Sequence, residues 1–330
     1  MKTKILQILR QSEAYISGQE LCEKLGVSRT AVWKAIKQLR EQGYEIEAAQ
    51  NRGYRLSAVP DVLSKQEIVS CMHTKWLGHN VFYYDEIDST NTEAKRKAEE
   101  GEPHGTLVVA DMQSAGRGRR GRDWSSPHHQ GIFFTILLRP EIEPVNAPML
   151  TLVMAMAVAR GISESTGLKA QIKWPNDIVI NGKKVVGILT EMSAQIDYVN
   201  HVVIGTGINV HQSSFPEELA QKATSIDIEN EKLGGAKISR AQLLEKILEQ
   251  FEIYYEKYIK TQDLSGLMEE YNQELVNKNR KVRVLDPLGE FEGQALGINA
   301  HGSLLVEKDS GETVEISSGE VSVRGIYGYV

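Results

Sequence analysis

The chain of 330 residues contains only two cysteines, Cys22 and Cys71. Two lone cysteines without metal-type spacing make neither a disulfide framework nor a zinc site. They suit a reducing cytoplasm, where thiols stay free. The eight histidines show no zinc spacing either, and His128-His129 reads as loop, so no protein-held metal is expected. No apolar run approaches the roughly 18–20 residues of a membrane span. The opening MKTKILQILR has no long apolar stretch and no cleavage site. A cytoplasmic protein with no membrane partner is therefore expected. Repeats and low-complexity tracts are also missing. So is a G-x-x-x-x-G-K-[ST] loop, which means that any ATP use is of another type.

The net charge of −6 is spread unevenly. Residues 1–56 carry ten Lys/Arg against six Asp/Glu, a surplus of +4, and the remainder carries 28 against 38, or −10. A basic module on an acidic body points to nucleic acid at one end only.

That basic end reads as helical. Ile5, Leu6 and Leu9 share one face over Lys2–Arg10. Ser17-Gly18-Gln19-Glu20 has the capping-box spacing and opens a helix that stops at Gly26. A second helix runs from Ser28 to Gly43, which makes a helix-turn-helix. Two alternating strands around Asn51-Arg52-Gly53 follow, and complete a winged helix. Ser28, Arg29, Thr30, Trp33 and Lys34 lie at the start of the second helix, where base edges are reached. Arg52 and Arg55 lie on the wing. The bland alternative is a small helical interaction domain. Residues 57–67, SAVPDVLSKQE, read as a linker punctuated by Pro60.

Residues 64–276 mix strands and helices. Strands are expected at 82–85, 106–112, 131–138, 170–174, 177–180, 183–192 and 198–210, with helices at 91–100, 147–165, 239–259 and 264–275. Asn181-Gly182 between two apolar runs predicts a tight hairpin, so a doubly wound parallel sheet is excluded. Residues 277–330 show short strands separated by turns, a small β-barrel or sandwich. The expected domains are thus 1–60, 64–276 and 277–330, in an α+β multidomain fold.

Four stretches carry chemistry. Gly116, Gly118 and Gly121 reproduce G-x-G-x-x-G, but no helix opens after them, and the positions between are arginines. A nicotinamide oxidoreductase is disfavoured on that ground. Arg117, Arg119, Arg120 and Arg122 instead suit a loop that gathers around phosphate and closes as a lid. Ser89, Thr90 and Asn91 end a strand and open a helix, offering small polar groups and free amides to a urea-like or anionic head group. The plain alternative is that one of them caps the helix. Lys184 follows the hairpin turn. Simple alternation places it on the face of Val186 and Ile188, in a strand apolar on both sides. A lysine there calls for an anionic partner, unless it snorkels to water just past the turn. Gly187, Gly205 and Gly207 lie mid-strand, where a ligand or an ordinary bulge brings something against the backbone.

Taken together, GRGRRGRDW, Ser89-Thr90-Asn91, Gln113, KWPND…GKKVVGIL and GTGIN, in this composition behind a winged helix, resemble the bifunctional biotin protein ligases that also repress a biotin operon. The resemblance covers the whole chain. It implies a mixed or antiparallel central sheet and a C-terminal SH3-like β-barrel. It implies that Ser89, Thr90, Asn91, Gln113, Arg117, Gly118, Arg119 and Lys184 bind biotin. Gly116, Arg120, Gly121, Arg122, Trp124, Asn209 and Arg324 are implied to contact the adenylate, with Lys184 and Arg119 catalytic. The implied substrates are biotin and ATP with Mg²⁺, passing through biotinyl-5′-adenylate. The implied partners are a biotin carboxyl carrier protein of acetyl-CoA carboxylase or another biotin-dependent carboxylase, operator DNA, and a second copy of the chain when the adenylate is bound. A repressor that senses biotin without turnover and a lipoate ligase remain as alternatives.

Overall fold

The structure is a computed structural model that describes residues 1–286, 289–317, 322–325 and 329–330. It divides into two compact units, Met1–His73 with Ser239–Glu245, and Thr74–Ile238 with Lys246–Val330.

The first unit is built from α1 (Lys2–Arg10), α2 (Gly18–Leu25), α3 (Arg29–Glu41), β1 (Glu45–Ala49), β2 (Gly53–Ala58) and α4 (Lys65–Cys71). Ser17 accepts from the Glu20 amide, and Gly26 ends α2 in the left-handed conformation. Ser28 caps α3 in the same way, through the Ala31 amide. Ile5, Leu6, Leu9, Val32, Ile36 and Leu39 form the core, each worth about 1.5–3 kcal/mol when fully buried. β1 and β2 pair antiparallel as the wing.

The expected linker is partly wrong. Ser64-Lys65-Gln66-Glu67 repeats the spacing of Ser17-Gly18-Gln19-Glu20, and Ser64 caps α4 through the Glu67 amide. Glu67 is fully buried, paired with Arg10 and accepting from the Tyr44 hydroxyl at 2.6 Å. That buried charge ties α4 to the winged helix and carries the unit to His73 rather than to residue 60.

The second unit holds a seven-stranded sheet of β3 (Val81–Ile87), β4 (Thr106–Gln113), β5 (Gly131–Leu138), β6 (Ala170–Lys173), β7 (Asp177–Ile180), β8 (Lys183–Ala194) and β9 (Val199–Asn209). Their spatial order is β3-β4-β5-β9-β8-β7-β6. Only β3 and β4 run parallel, and every other neighbouring pair is antiparallel. Asn181 and Gly182 both have positive φ, 50° and 76°, as the tight β7–β8 turn requires. Helices α5 (Thr90–Glu99), α6 (Leu150–Thr166), α7 (Glu217–Ala220), α8 (Ile226–Glu231), α9 (Arg240–Thr261) and α10 (Met268–Glu274) accompany it. α9 begins in the first unit, where the buried Arg240 binds both carboxylate oxygens of Asp61.

The sequence reading found no run of membrane-span length, yet Pro144–Thr166 has that length and composition, with a mean hydropathy of 1.5. It is a core helix, and 72% of its most apolar window is buried. The last strands, β10 (Lys281–Leu285), β11 (Phe291–Ile298), β12 (Leu304–Glu307), β13 (Thr313–Ile316) and β14 (Ser322–Gly325), form a five-stranded antiparallel sheet ordered β13-β12-β11-β10-β14. It belongs to the same compact unit as the central sheet. The indole of Trp174 joins the two by donating to the Gly302 carbonyl at 3.0 Å. Of the tail after Arg324, residues 326–328 lie outside the described residues.

Candidate functional site

The end of β3, the start of α5 and the adjoining faces of β4, β5, β8 and β9 bring together a cluster of buried polar side chains. Ser89, Thr90 and Asn91 are all nearly inaccessible. None of the three supplies the expected helix cap: Ser89 stands at the N-cap position without a side-chain capping bond. The carboxamide of Gln113 takes that role from the neighbouring strand. Its Oε1 accepts from the Thr90 amide at 2.8 Å and from the Thr90 hydroxyl at 3.1 Å. Its Nε2 donates to Ser126 Oγ at 2.9 Å. Asn91 donates to Oε2 of Glu191 at 2.8 Å, and its Oδ1 lies 2.7 Å from the Thr135 hydroxyl. Burial pushes the Glu191 carboxyl up, but Asn91, Lys95 and the charge of Arg117 outweigh it and hold the group below its usual range. Glu191 and Thr135 are not marked by the sequence pattern: Thr135 is the one polar residue of β5, and Glu191 lies in the mixed, partly exposed half of β8.

The glycines of β8 and β9, where a ligand or a bulge was expected, have this chain's own side chains against them. Gly187 and Gly207 face each other across the two strands. The indole of Trp124 lies over that pair, so that a Cβ on Gly207 would stand 2.3 Å from Trp124 Nε1. A Cβ on Gly205 would stand 2.0 Å from Asn91 Oδ1. Successive glycines on one face of β9 thus join the polar cluster to the ground under Trp124. The Trp124 indole N–H has no acceptor among the described residues.

Lys184 departs from the simple alternation. A register shift in the β7–β8 pairing places Val179 opposite Lys184 and Ile178 opposite Val186. Val185 is the extra residue, and it rotates Lys184 away from the face of Val186 and Ile188 onto that of Gly187. Lys184 Nζ lies 3.2 Å from where a Gly187 Cβ would stand, and 5.3 Å from the Trp124 ring centroid. Its anionic partner is Asp177, 2.6 Å away. Burial pushes the Asp177 carboxyl up, but Lys184, Lys173 and a hydrogen bond from Tyr329 together hold it below its usual range. Lys173 lies on the other side of that carboxylate at 3.8 Å. Its burial pulls the amine down to about 8. Asp177 and Lys173 both stand in the Lys-Trp-Pro-Asn-Asp run, where two opposite charges four residues apart between apolar stretches are the available signal.

The arginine loop is a small hairpin. Arg117 bridges Asp123, Gly118 donates to the Arg122 carbonyl at 2.6 Å, and Trp124 donates to the Gly116 carbonyl at 2.9 Å. Gly116 is a packing glycine: a Cβ there would stand 2.5 Å from the Trp124 carbonyl oxygen. Arg120 takes a left-handed conformation, φ 59°. Arg119 turns inward and donates to Asn176 Oδ1 at 3.0 Å. Burial lowers its pKa against the pull of Asp177. Arg117, Arg120 and Arg122 are exposed, as is Gly121. Arg324, also exposed, lies close enough to act electrostatically on Lys173. Asn209 follows Gly207 by two residues, but both ends of its amide are used, by the Thr224 carbonyl and by Gln212.

In the first unit, Thr30, Trp33 and Lys34 project from an exposed face of α3. Ser28 is committed to capping, and Arg29 is held by Gln19 at 3.0 Å. On the wing, Arg52 and Arg55 stand over the Tyr15 ring at 4.4 and 5.0 Å, with Arg55 paired to Glu47 at 2.8 Å.

Sequence profiles bear on the same segments. The Biotin/lipoate A/B protein ligase family matches residues 83–209, an HTH domain matches 2–55, and the Biotin protein ligase C terminal domain matches 279–324. The chain is similar to the Bifunctional ligase/repressor BirA of Bacillus subtilis, with 44% identity over 94% of this chain and 95% of that one. It is also similar to the protein of the same name from Escherichia coli, with 29% identity over 97% and 96%. A solved structure of the biotin protein ligase from Aquifex aeolicus in complex with biotin and ATP superposes with a TM-score of 0.66 at 31% identity. That match covers 75% of this chain and 99% of the Aquifex chain. With its helix-turn-helix in front, its mixed sheet around Lys184 and its C-terminal strands behind, the chain belongs to the biotin protein ligase family.

Proposed function

We propose that the chain is a biotin–[biotin carboxyl carrier protein] ligase that joins biotin to ATP and then to a protein lysine. In the first step a biotin carboxylate oxygen attacks the α-phosphorus of ATP. The bond to pyrophosphate breaks and biotinyl-5′-adenylate forms. In the second step the ε-amine of an acceptor lysine attacks the acyl carbon, and AMP and a proton leave. The acceptor is a biotin carboxyl carrier protein of acetyl-CoA carboxylase or another biotin-dependent carboxylase.

The observation that carries this reading is Lys184 beside the glycine floor under Trp124, with Arg119 turned inward onto Asn176 and in the field of the same Asp177. Two anions must meet in the first step, and fixed cations lower the cost of bringing them together. The cluster of Ser89, Thr90, Asn91 and Gln113 offers donors and acceptors for a urea-like head group. The arginine loop, with Gly116, Gly118 and Gly121 in it, closes over the adenylate and keeps water from it. Asn209 and Arg324 lie toward the nucleotide. Magnesium shields the phosphates when bound. The ion enters as MgATP, on phosphate oxygens.

The second activity is repression. The exposed face of α3 and the wing arginines suit operator DNA, read by a homodimer that forms with biotinyl-5′-adenylate as corepressor.

Mixing biotin and MgATP without acceptor tests the first step. A biotin-dependent burst of pyrophosphate, with biotinyl-adenylate retained on the protein in mass spectra, is the expected outcome. Lys184→Ala slows that burst about 100-fold or more. A normal burst from this variant removes Lys184 from the site. Biotin binding without any burst turns the chain into a sensor.

A further inference from the structure

Tyr329 and Val330 bear on the same charge cluster. Asp177 is buried, and a buried carboxylate needs partners on both oxygens. Oδ1 faces Lys184 Nζ at 2.6 Å. Oδ2 has Lys173 at 3.8 Å, too far for a hydrogen bond. Its close partner is the hydroxyl of Tyr329, which donates to it. The Tyr329 ring covers Lys173 Nζ at 4.0 Å from its centroid.

The residue after it is seated as well. The carbonyl oxygen of Val330 lies 2.0 Å from where a Cβ on Gly325 would stand. Its side chain lies 3.3 Å from the Cβ position of Gly182, in the turn that leads into Lys184. A side chain at position 325 would collide with Val330, so Gly325 leaves room for the backbone that carries Tyr329.

We propose that Tyr329 is a positioning residue for adenylation: its hydroxyl fixes Oδ2 of Asp177, and Asp177 in turn holds the Lys184 ammonium beside Gly187 and Trp124. The proposal rests on the ligase reading above. Without the hydroxyl, the Asp177 carboxylate can turn toward Lys173, its other cation, and Lys184 loses its fixed partner. The carboxylate also loses a hydrogen bond to its charged form, which raises its proton affinity. The groups that face it set the size of this effect. They are Lys173 on β6, Lys184 on β8, Arg119 on the arginine loop and Tyr329 itself, with Arg122 and Arg324 acting on Tyr329 beside them. Lys173, Lys184 and Arg119 all favour ionised Asp177, so the displacement on losing one hydroxyl is modest.

The test uses the full chain with Tyr329→Phe, which keeps the ring over Lys173. Two quantities are read: the single-turnover pyrophosphate burst as a function of pH, and the titration of the Asp177 carboxyl carbon by NMR, assigned with Asp177→Asn. The expected results are a burst about 5–10-fold slower near neutral pH, as for one lost hydrogen bond to a charged group, and a biotin KM within about twofold. The acid limb of the burst and the Asp177 titration both move up by about half a pH unit to one unit. A burst with unmoved rate and acid limb, or a loss equal at every pH with an unmoved Asp177 titration, overturns the proposal. Absence of a burst in the unsubstituted chain overturns the ligase reading, and with it any role of Tyr329 in adenylation. A normal burst with an unmoved Asp177 titration overturns the proposal alone.

Discussion

Lys173 and Lys184 have the same side chain, share the carboxylate of Asp177, and differ in surroundings. Lys173 is almost wholly buried, and its amine is pulled down to about 8. Lys184 stays partly open beside Trp124, close to Asp177. The pair gives the cluster one cation open to a substrate and one that is structural. Glu274 on α10 shows the opposite case, a carboxylate without such help. Its Oε2 is buried without a hydrogen bond. Burial, with Glu270 adding to it, pushes its pKa up to about 7. The folded chain therefore keeps a proton that the unfolded chain releases above the ordinary glutamate range. Stability from this group is present at low pH and is lost as pH rises through about 7. Glu274→Gln is expected to stabilise the protein by about 1 kcal/mol at about pH 8, the shift being discounted for partial solvent screening. It should change little at about pH 4. Urea titrations at the two pH values check the sign.

At the scale of elements, the site is a strand pair with its side chains removed. β8 and β9 bring Gly187 and Gly207 opposite each other, and Trp124 from the arginine loop lies where two side chains would be. Gly207→Ala places a methyl 2.3 Å from Trp124 Nε1, so the indole and its loop must shift. The adenylation burst is expected to fall about tenfold or more, since small displacements of positioned groups are costly in rate, with far-UV circular dichroism unchanged. An unaltered burst would show that Trp124 has no fixed place in the reaction. The glycines were legible in the sequence as points of close approach. That a tryptophan of this chain lies on them was not, because Trp124 and Gly207 are 83 positions apart. The face of Lys184 was misread for a related reason: period-two alternation cannot register a bulge at Val185, which only the partner strand reveals. The start of α4 was legible too, since Ser64 to Glu67 repeats the capping pattern of Ser17 to Glu20 inside the expected linker.

At the scale of the whole molecule, a basic winged helix precedes an acidic body, and the operator role follows from that asymmetry. Operator affinity is expected to rise when biotin and MgATP are both present, together with a shift from monomer to dimer in sedimentation. It should fall steeply with salt. Arg52→Ala and Arg55→Ala should each flatten the plot of log affinity against log salt by about one, if each arginine neutralises one phosphate. Gel-shift titrations over a salt series provide the slope. Affinity indifferent to biotin and MgATP would separate DNA binding from ligand binding altogether.

The local pattern alone determined the elements of this protein. Caps at Ser17 and Ser28, alternation in the strands and the Asn181-Gly182 turn are short-range signals, and they give the winged helix, the mixed sheet and the small C-terminal sheet. The arginine loop and the Lys-Trp-Pro-Asn-Asp run also stood out locally, and the fold brings them together where Arg119 donates to Asn176. Tertiary structure alone decided which side chains meet. The union of Gln113 with Thr90, of Arg10 with Glu67, and of Tyr329 with Asp177 spans long stretches of chain. Each arises because a buried polar group must find a partner wherever packing places one, and that requirement leaves no mark on the neighbouring residues.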